Sequence, residues 1–219
     1  MSRGIQFRID AEADRCALIM AGGRSPGAAP RPRLFGFKTH FEGPAADAVE
    51  LYFGPSGYVG INPVEQNLTN VCGIAPEDAL RSYGFDIDEF IRQAQPLSSR
   101  LKPLSRRMPW LTTGPLIFSR PQAPIAPIYA AGDALGFIDP FTGSGILHAL
   151  ITGMMAGVAA ARRTPHAEYL CSCRGLLNRP AAISAIFRAA LRFGLAEYFA
   201  RLVPGQWIYR LTRAANHGR

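Results

Sequence analysis

The run Ala131-Gly132-Asp133-Ala134-Leu135-Gly136-Phe137-Ile138-Asp139-Pro140-Phe141-Thr142-Gly143-Ser144-Gly145-Ile146 constrains this chain more than any other stretch. It follows a short apolar run, Ile125 to Ala130, and leads into the apolar stretch Ile146 to Arg163. Strand, Gly/Pro-rich loop and helix N-terminus are therefore expected in that order. An acidic residue ends the strand and two glycines flank the helix start. Such an arrangement can approach a ligand with bare backbone and offer a carboxylate to a hydroxyl. It can also aim free N–H groups at partial negative charge.

The spacing Gly-Asp-Ala-x-Gly-x-x-x-Pro-x-x-Gly-x-Gly-Ile, followed by an Ala/Gly-rich helix, resembles the second flavin-contacting motif of the FAD-dependent oxidoreductases with the para-hydroxybenzoate hydroxylase fold. It is most similar to their geranylgeranyl-reductase-like branch. The resemblance implies that Gly132 and Asp133 meet the ribityl chain of FAD, with Asp133 accepting a hydrogen bond. It sets Pro140, Phe141 and Thr142 beside the flavin ring. Gly143, Ser144, Gly145 and Ile146 then face the ring's pyrimidine edge. The family often has an acidic residue where Ser144 stands. Reduced flavin gathers negative charge at that edge, and a helix N-terminus carries roughly half a positive charge.

A family member opens on a strand and Gly-x-Gly-x-x-Gly, which cradle the FAD pyrophosphate. No such fingerprint occurs in these 219 residues. Ala21-Gly22-Gly23-Arg24-Ser25-Pro26 instead resembles a middle element of the flavin domain, where a strand ends in a Gly-Arg turn. The chain thus reads as the C-terminal portion of a larger enzyme. The expected fold is α+β or α/β: an incomplete FAD-binding domain, an antiparallel-sheet substrate domain and a helical C-terminal segment. Residues 1–33 would belong to the middle of the FAD-binding domain and 34–115 to the substrate domain. Residues 116–163 would form the second flavin-contacting unit and 164–219 the basic helical segment.

In the second of these regions, Leu34 to Phe41, Val49 to Phe53, Tyr58 to Pro63 and Asn67 to Ile74 read as strands. The stretch from Glu50 to Val64 resembles the sheet that walls the family's substrate pocket. Tyr52, Phe53, Tyr58 and Asn62 are the candidates for that wall, with ordinary core packing as the alternative for each. His40 and Tyr58 are candidate proton donors, although the flavin motif specifies none. Asp86 to Gln95 reads as a helix with Asp88 and Glu89 in its first turn. The helix after Gly145 is apolar nearly all round and is expected in the core. Its Gly153-x-x-x-Gly157 matches a helix-pairing motif, but about 16 residues separate Gly145 from Arg162-Arg163, short of the usual ~20 for a membrane span.

Cys16, Cys72, Cys171 and Cys173 are not spaced as a disulfide framework, and residues 1–14 lack the apolar core of a secretory signal. A reducing, cytoplasmic compartment is expected. Cys171, Cys173 and His166 make three candidate zinc ligands without a fourth, an incomplete tetrahedral set.

The net charge of +8 lies entirely in residues 162–219, which hold ten arginines against Glu168 and Glu197. Ile183, Ile186, Phe187, Ala190, Leu191 and Leu195 recur at helical spacing there, followed by Tyr198, Phe199, Leu202, Trp207, Ile208 and Tyr209. This pattern suits packing on the chain's own body, or an anionic membrane surface at the inner face of a membrane. No recognition motif points to nucleic acid.

The expected activity is reduction of a carbon–carbon double bond, or monooxygenation, of an apolar or isoprenoid-like small molecule. FAD would be the cofactor and NAD(P)H a candidate electron donor. The alternatives are a non-catalytic fragment, a subunit needing an N-terminal partner, and a membrane-surface module.

Overall fold

The computed structural model describes residues 17–23, 33–44, 47–54, 57–65, 67–121, 128–193 and 195. The expected turn at Arg24 to Pro26, the proline-rich lead-in at 122–127 and the aromatic tail from Tyr198 to Tyr209 lie outside them.

Alternating apolar residues build the larger sheet. Strands β2 (Leu34–Glu42), β3 (Glu50–Gly54), β4 (Gly57–Pro63) and β5 (Leu68–Pro76) pair antiparallel in the order β3-β4-β5-β2. Two later strands, β6 (Ser105–Arg106) and β7 (Leu111–Leu116), also pair with β2. Because side chains alternate across a strand, each strand contributes to two different layers. Phe37, Phe41, Val59, Ile61, Val71 and Ala75 bury one face against the short helices α1 (Glu77–Arg81), α2 (Ile87–Arg92) and α3 (Gln95–Leu101). Leu80, Ile87, Ile91, Leu97 and Leu101 are the helix residues of that core.

The helix expected from Asp86 to Gln95 is α2, which ends three residues earlier, at Arg92. Asp86 caps α2 by accepting the Glu89 N–H at 3.0 Å. The chain then breaks, and α3 restarts with a proline in its first turn, where a missing N–H costs nothing.

The second body is small. Strand β1 (Leu18–Met20) pairs parallel with β8 (Ile128–Ala130), and Met20 lies opposite Ala130. Helices α4 (Gly145–Arg162) and α5 (His166–Arg192) close over them, burying Tyr129, Ala130, Leu135, Ala156, Ala159, Tyr169, Cys173 and Leu177 together. The Tyr169 hydroxyl donates to the Ala130 carbonyl at 2.6 Å and ties α5 to β8.

The C-terminal helix begins at His166, within the helical segment expected over 164–219 and well before the apolar stripe that starts at Ile183, and runs through Pro180. Packing of Leu177, Phe187 and Leu191 offsets the backbone hydrogen bond that proline removes. The helix expected to lie wholly in the core does not. Only His148, Thr152, Ala156 and Ala159 of α4 are buried, while Ile146 is 81% exposed, Leu150 68%, Met154 67% and Val158 46%. These four exposed residues recur every fourth position and make one outward apolar stripe. By length and composition α4 could cross a membrane, yet its buried side is part of the core under β8.

Candidate flavin site

The Gly-Asp turn follows β8 directly. Gly132, Asp133 and Ala134 form a single 3-10 turn, which Gly132 enters at φ +57°. A side chain at 132 would be strained in that left-handed conformation and would stand 3.3 Å from the Ala149 Cβ. The Gly132 N–H donates to the Thr152 hydroxyl at 2.9 Å. Thr152 in turn donates to the His148 carbonyl at 2.7 Å. A fully buried threonine on α4 therefore holds the turn in place. Sequence reasoning missed Thr152; its only signal is a lone hydroxyl on the buried side of an apolar helix. The turn leaves Asp133 exposed.

The second turn is capped by Asp139. Its carboxylate accepts the Phe141 N–H at 3.0 Å, and Pro140 to Thr142 make another 3-10 turn. Gly143 leaves that turn at φ +61°, with open space where a side chain would be. Ser144 is the N-cap of α4 and is buried, and its carbonyl accepts the His148 N–H at 2.9 Å. Gly143, Gly145 and Ile146 are exposed. The loop is two-sided: Asp133, Gly143, Gly145 and Ile146 stand in the open, and Asp139, Ser144 and His148 lie inside. Burial lowers the His148 pKa, so its imidazole is neutral at physiological pH.

Of the four pocket-wall candidates, the structure brings two to the loop. Phe53 and Tyr58 face each other across β3 and β4 and pack edge-on against Phe141, with ring centroids 6.1 and 5.9 Å away. Phe141 itself stacks on Phe187 of α5 with centroids 3.6 Å apart and planes 8° apart. Tyr52 and Asn62 do not join them. Tyr52, next to Phe53, points to the opposite face, where its hydroxyl donates to Glu50 at 2.6 Å. Burial and the bonded Glu50 carboxylate push the Tyr52 phenol up to about 12. Asn62 accepts from the Asn70 side chain at 2.9 Å, four residue pairs beyond Tyr58 along the sheet.

As for the two candidate donors, the Tyr58 hydroxyl is committed, donating to Asp139 at 2.7 Å in a buried contact. Burial, then the Asp139 charge, holds that phenol far above its ordinary range. His40 is half-buried on β2 opposite Asn70. The sheet face that carries Tyr58 continues past the loop as a row across the strands: Leu51, Gly60, Cys72, Lys38 and Leu111, each paired with the next. Leu51, Lys38 and Leu111 are exposed there.

Comparison with known proteins places the fold. The fold matches that of the flavin-dependent brominase Bmp2, with a TM-score of 0.63 at 16% identity over 83% of this chain and 50% of that one. It matches a flavoprotein/dehydrogenase from Cytophaga hutchinsonii with a TM-score of 0.62 at 14% identity, over 87% of this chain and 53% of that one. This chain has the fold of the FAD-dependent oxidoreductases of the para-hydroxybenzoate hydroxylase type. In sequence it is 30% identical over 125 residues to digeranylgeranylglycerophospholipid reductase 2 of Methanosphaera stadtmanae, covering 55% of this chain and 31% of that protein. The chain spans about a third of that relative's length and about half of each of these two solved structures. No protein-family model matches.

Proposed function

We propose that this chain supplies the ring-side part of an FAD site and the wall of the adjoining substrate pocket in a flavin-dependent oxidoreductase. The observation that carries this reading is the two-sided loop. Asp133 is exposed in the turn after β8, and Gly143 and Gly145 are exposed at the N-terminus of α4, while Asp139 and Ser144 of the same loop are buried. The residues fit the cofactor: a free carboxylate for a ribityl hydroxyl, glycines that admit close approach, and N–H groups at the start of α4 for the pyrimidine edge. Bound there, FAD would supply two-electron transfer. The helix start would stabilise negative charge at the ring without any side chain moving.

The substrate is proposed to lie on the row from Leu51 to Leu111. Gly60 keeps the middle of that row low, and Leu51 and Leu111 offer apolar surface to an apolar or isoprenoid-like molecule. Double-bond reduction and monooxygenation both suit this surface, with NAD(P)H as the proposed source of electrons. The names of the relatives, a reductase and a brominase, support the two-electron flavin class.

The outward stripe Ile146, Leu150, Met154 and Val158 supports a further element of the proposal. A pyrophosphate-binding strand–loop–helix unit, in the same or another polypeptide, would cover that stripe and complete the FAD site. A second reading, a peripheral membrane contact at the cytoplasmic face, is favoured by Ile186, 56% exposed, and Phe193, 73% exposed, near the basic end of the chain.

The test is the visible absorption of the purified protein after incubation with FAD and removal of unbound cofactor. Retained flavin that falls about 10–100-fold in affinity on Asp133→Ala is the expected result, as for one hydrogen bond to a charged group. Flavin retained equally by Asp133→Ala would refute the assignment. Retention that appears only after a Gly-x-Gly-x-x-Gly polypeptide is added would locate the pyrophosphate cradle there.

A further inference from the structure

Asp139 lies at the junction of three segments far apart in sequence, and it is 1% exposed. A carboxylate at such a depth must be compensated by donors or a positive charge. The Tyr58 hydroxyl from β4 donates to it at 2.7 Å and the Phe141 N–H of its own loop at 3.0 Å. From α5, the Arg188 guanidinium donates to its other oxygen at 3.3 Å. Arg188 is itself held over the Phe118 ring at 4.4 Å. The Phe141–Phe187 stack closes the same junction from the apolar side. A leucine in place of Asp139 would bury apolar area without these demands. What the charge adds is geometry: it fixes which way the turn at Pro140 runs into the α4 N-terminus.

We propose that Asp139 is a positioning residue. It clamps the flavin-side loop to the substrate sheet through Tyr58 and to the C-terminal helix through Arg188, so that α5 sets the loop that faces the cofactor. The proposal rests on the flavin reading of that loop for its consequence, but the clamp can be measured without flavin. Because Tyr58 and Arg188 act through one carboxylate, removing either loosens the same turn, and removing both does not add two independent effects.

The experiment uses the full chain without cofactor and follows amide exchange in peptides spanning 137–145 for Tyr58→Phe, Arg188→Met and the double variant. Each single substitution is expected to speed exchange at Phe141 and Gly143 about tenfold, as for one lost hydrogen bond to a charged group, with peptides from β2 and β5 unchanged. The effect of the double variant is expected to fall well short of the product of the two single effects. Arg188→Lys, which keeps the charge, should restore part of the protection. Exchange in the loop that is unchanged, or single effects that multiply, would overturn the clamp. Tyr58→Phe sits in a core; should it fail to fold, Arg188→Met and Arg188→Lys, on the half-exposed arm, decide alone. FAD binding to the same variants is then measured separately. Weakened binding in step with the loosened loop supports the positioning role. A loosened loop with unchanged FAD affinity upholds the clamp and overturns the placement of the cofactor beside it.

Discussion

Replacing Thr152 by valine removes one hydroxyl and almost no volume. In the folded protein that hydroxyl accepts the Gly132 N–H at 2.9 Å and donates to the His148 carbonyl at 2.7 Å, with the side chain fully buried. The His148 carbonyl lies within the helix and keeps its backbone partner; the Gly132 N–H does not. An unsatisfied donor of this kind costs about 1–3 kcal/mol. The added methyl returns at most ~0.8 kcal/mol of transfer free energy. The net loss is about 1–2 kcal/mol, which for a domain of this size lowers Tm by about 2–8 °C. Thr152→Ser supplies the control, because it keeps the hydroxyl and loses only a methyl. Thermal unfolding by circular dichroism gives the stability, and amide exchange of the peptide holding Gly132 gives the site. The expected result is faster Gly132 exchange in Thr152→Val and wild-type exchange in Thr152→Ser. If Thr152→Val leaves Gly132 as protected as in wild type, the threonine does not hold the turn and the reasoning is wrong.

Other outcomes follow from the same geometry. Gly132→Ala should destabilise by about 1–2 kcal/mol, the cost of an L-residue in the left-handed region, and should do so without altering the substrate sheet. Chemical denaturation gives the loss, and an unchanged midpoint would show that the turn relaxes. Ile146→Gln with Leu150→Gln should leave stability within about 0.5 kcal/mol, because both residues already face out. The same pair should weaken association with a supplied pyrophosphate-binding unit, read by size-exclusion chromatography; undiminished association would place that unit elsewhere. Acid should act through Asp88. Burial raises its pKa, but the Trp110 indole N–H at 2.9 Å and Arg106 outweigh burial and bring it below the ordinary value. A depressed carboxylate stabilises the fold above its unfolded pKa, and that contribution is lost as pH falls through the folded pKa. Asp88→Asn should therefore flatten the fall in Tm below about pH 4; a wild-type acid profile in that variant would exclude Asp88 as its source.

Much of the backbone of the candidate loop was legible because its signals are local. Gly132, Pro140, Gly143 and Gly145 mark turns by their own backbone preferences, and the apolar run after Gly145 marks a helix within one window of sequence. Strands β2 to β5 of the larger sheet were legible for the same reason, to within a few residues at each end, whereas β6 and β7 were not. Asp139 was not. As a residue before a proline in a loop it carries no hint of burial, and its partners lie 81 and 49 residues away. Tyr52 and Phe53 looked alike as aromatic neighbours, yet the pleat sends them to opposite faces, and only the position of the loop says which face matters. Helix α5 lies within the segment read as helical, but its passage through Pro180 depends on tertiary packing rather than on local preference.

By itself, then, the sequence determined the order of strand, turn and helix and the type of backbone at each turn, since these depend on φ/ψ preferences of a few consecutive residues. The tertiary structure alone decided which polar groups are inside and which side of α4 stays open. Burial is a property of what packs against a residue, and for Asp139, Thr152 and Ile146 that partner, or the lack of one, comes from folding rather than from the neighbouring sequence.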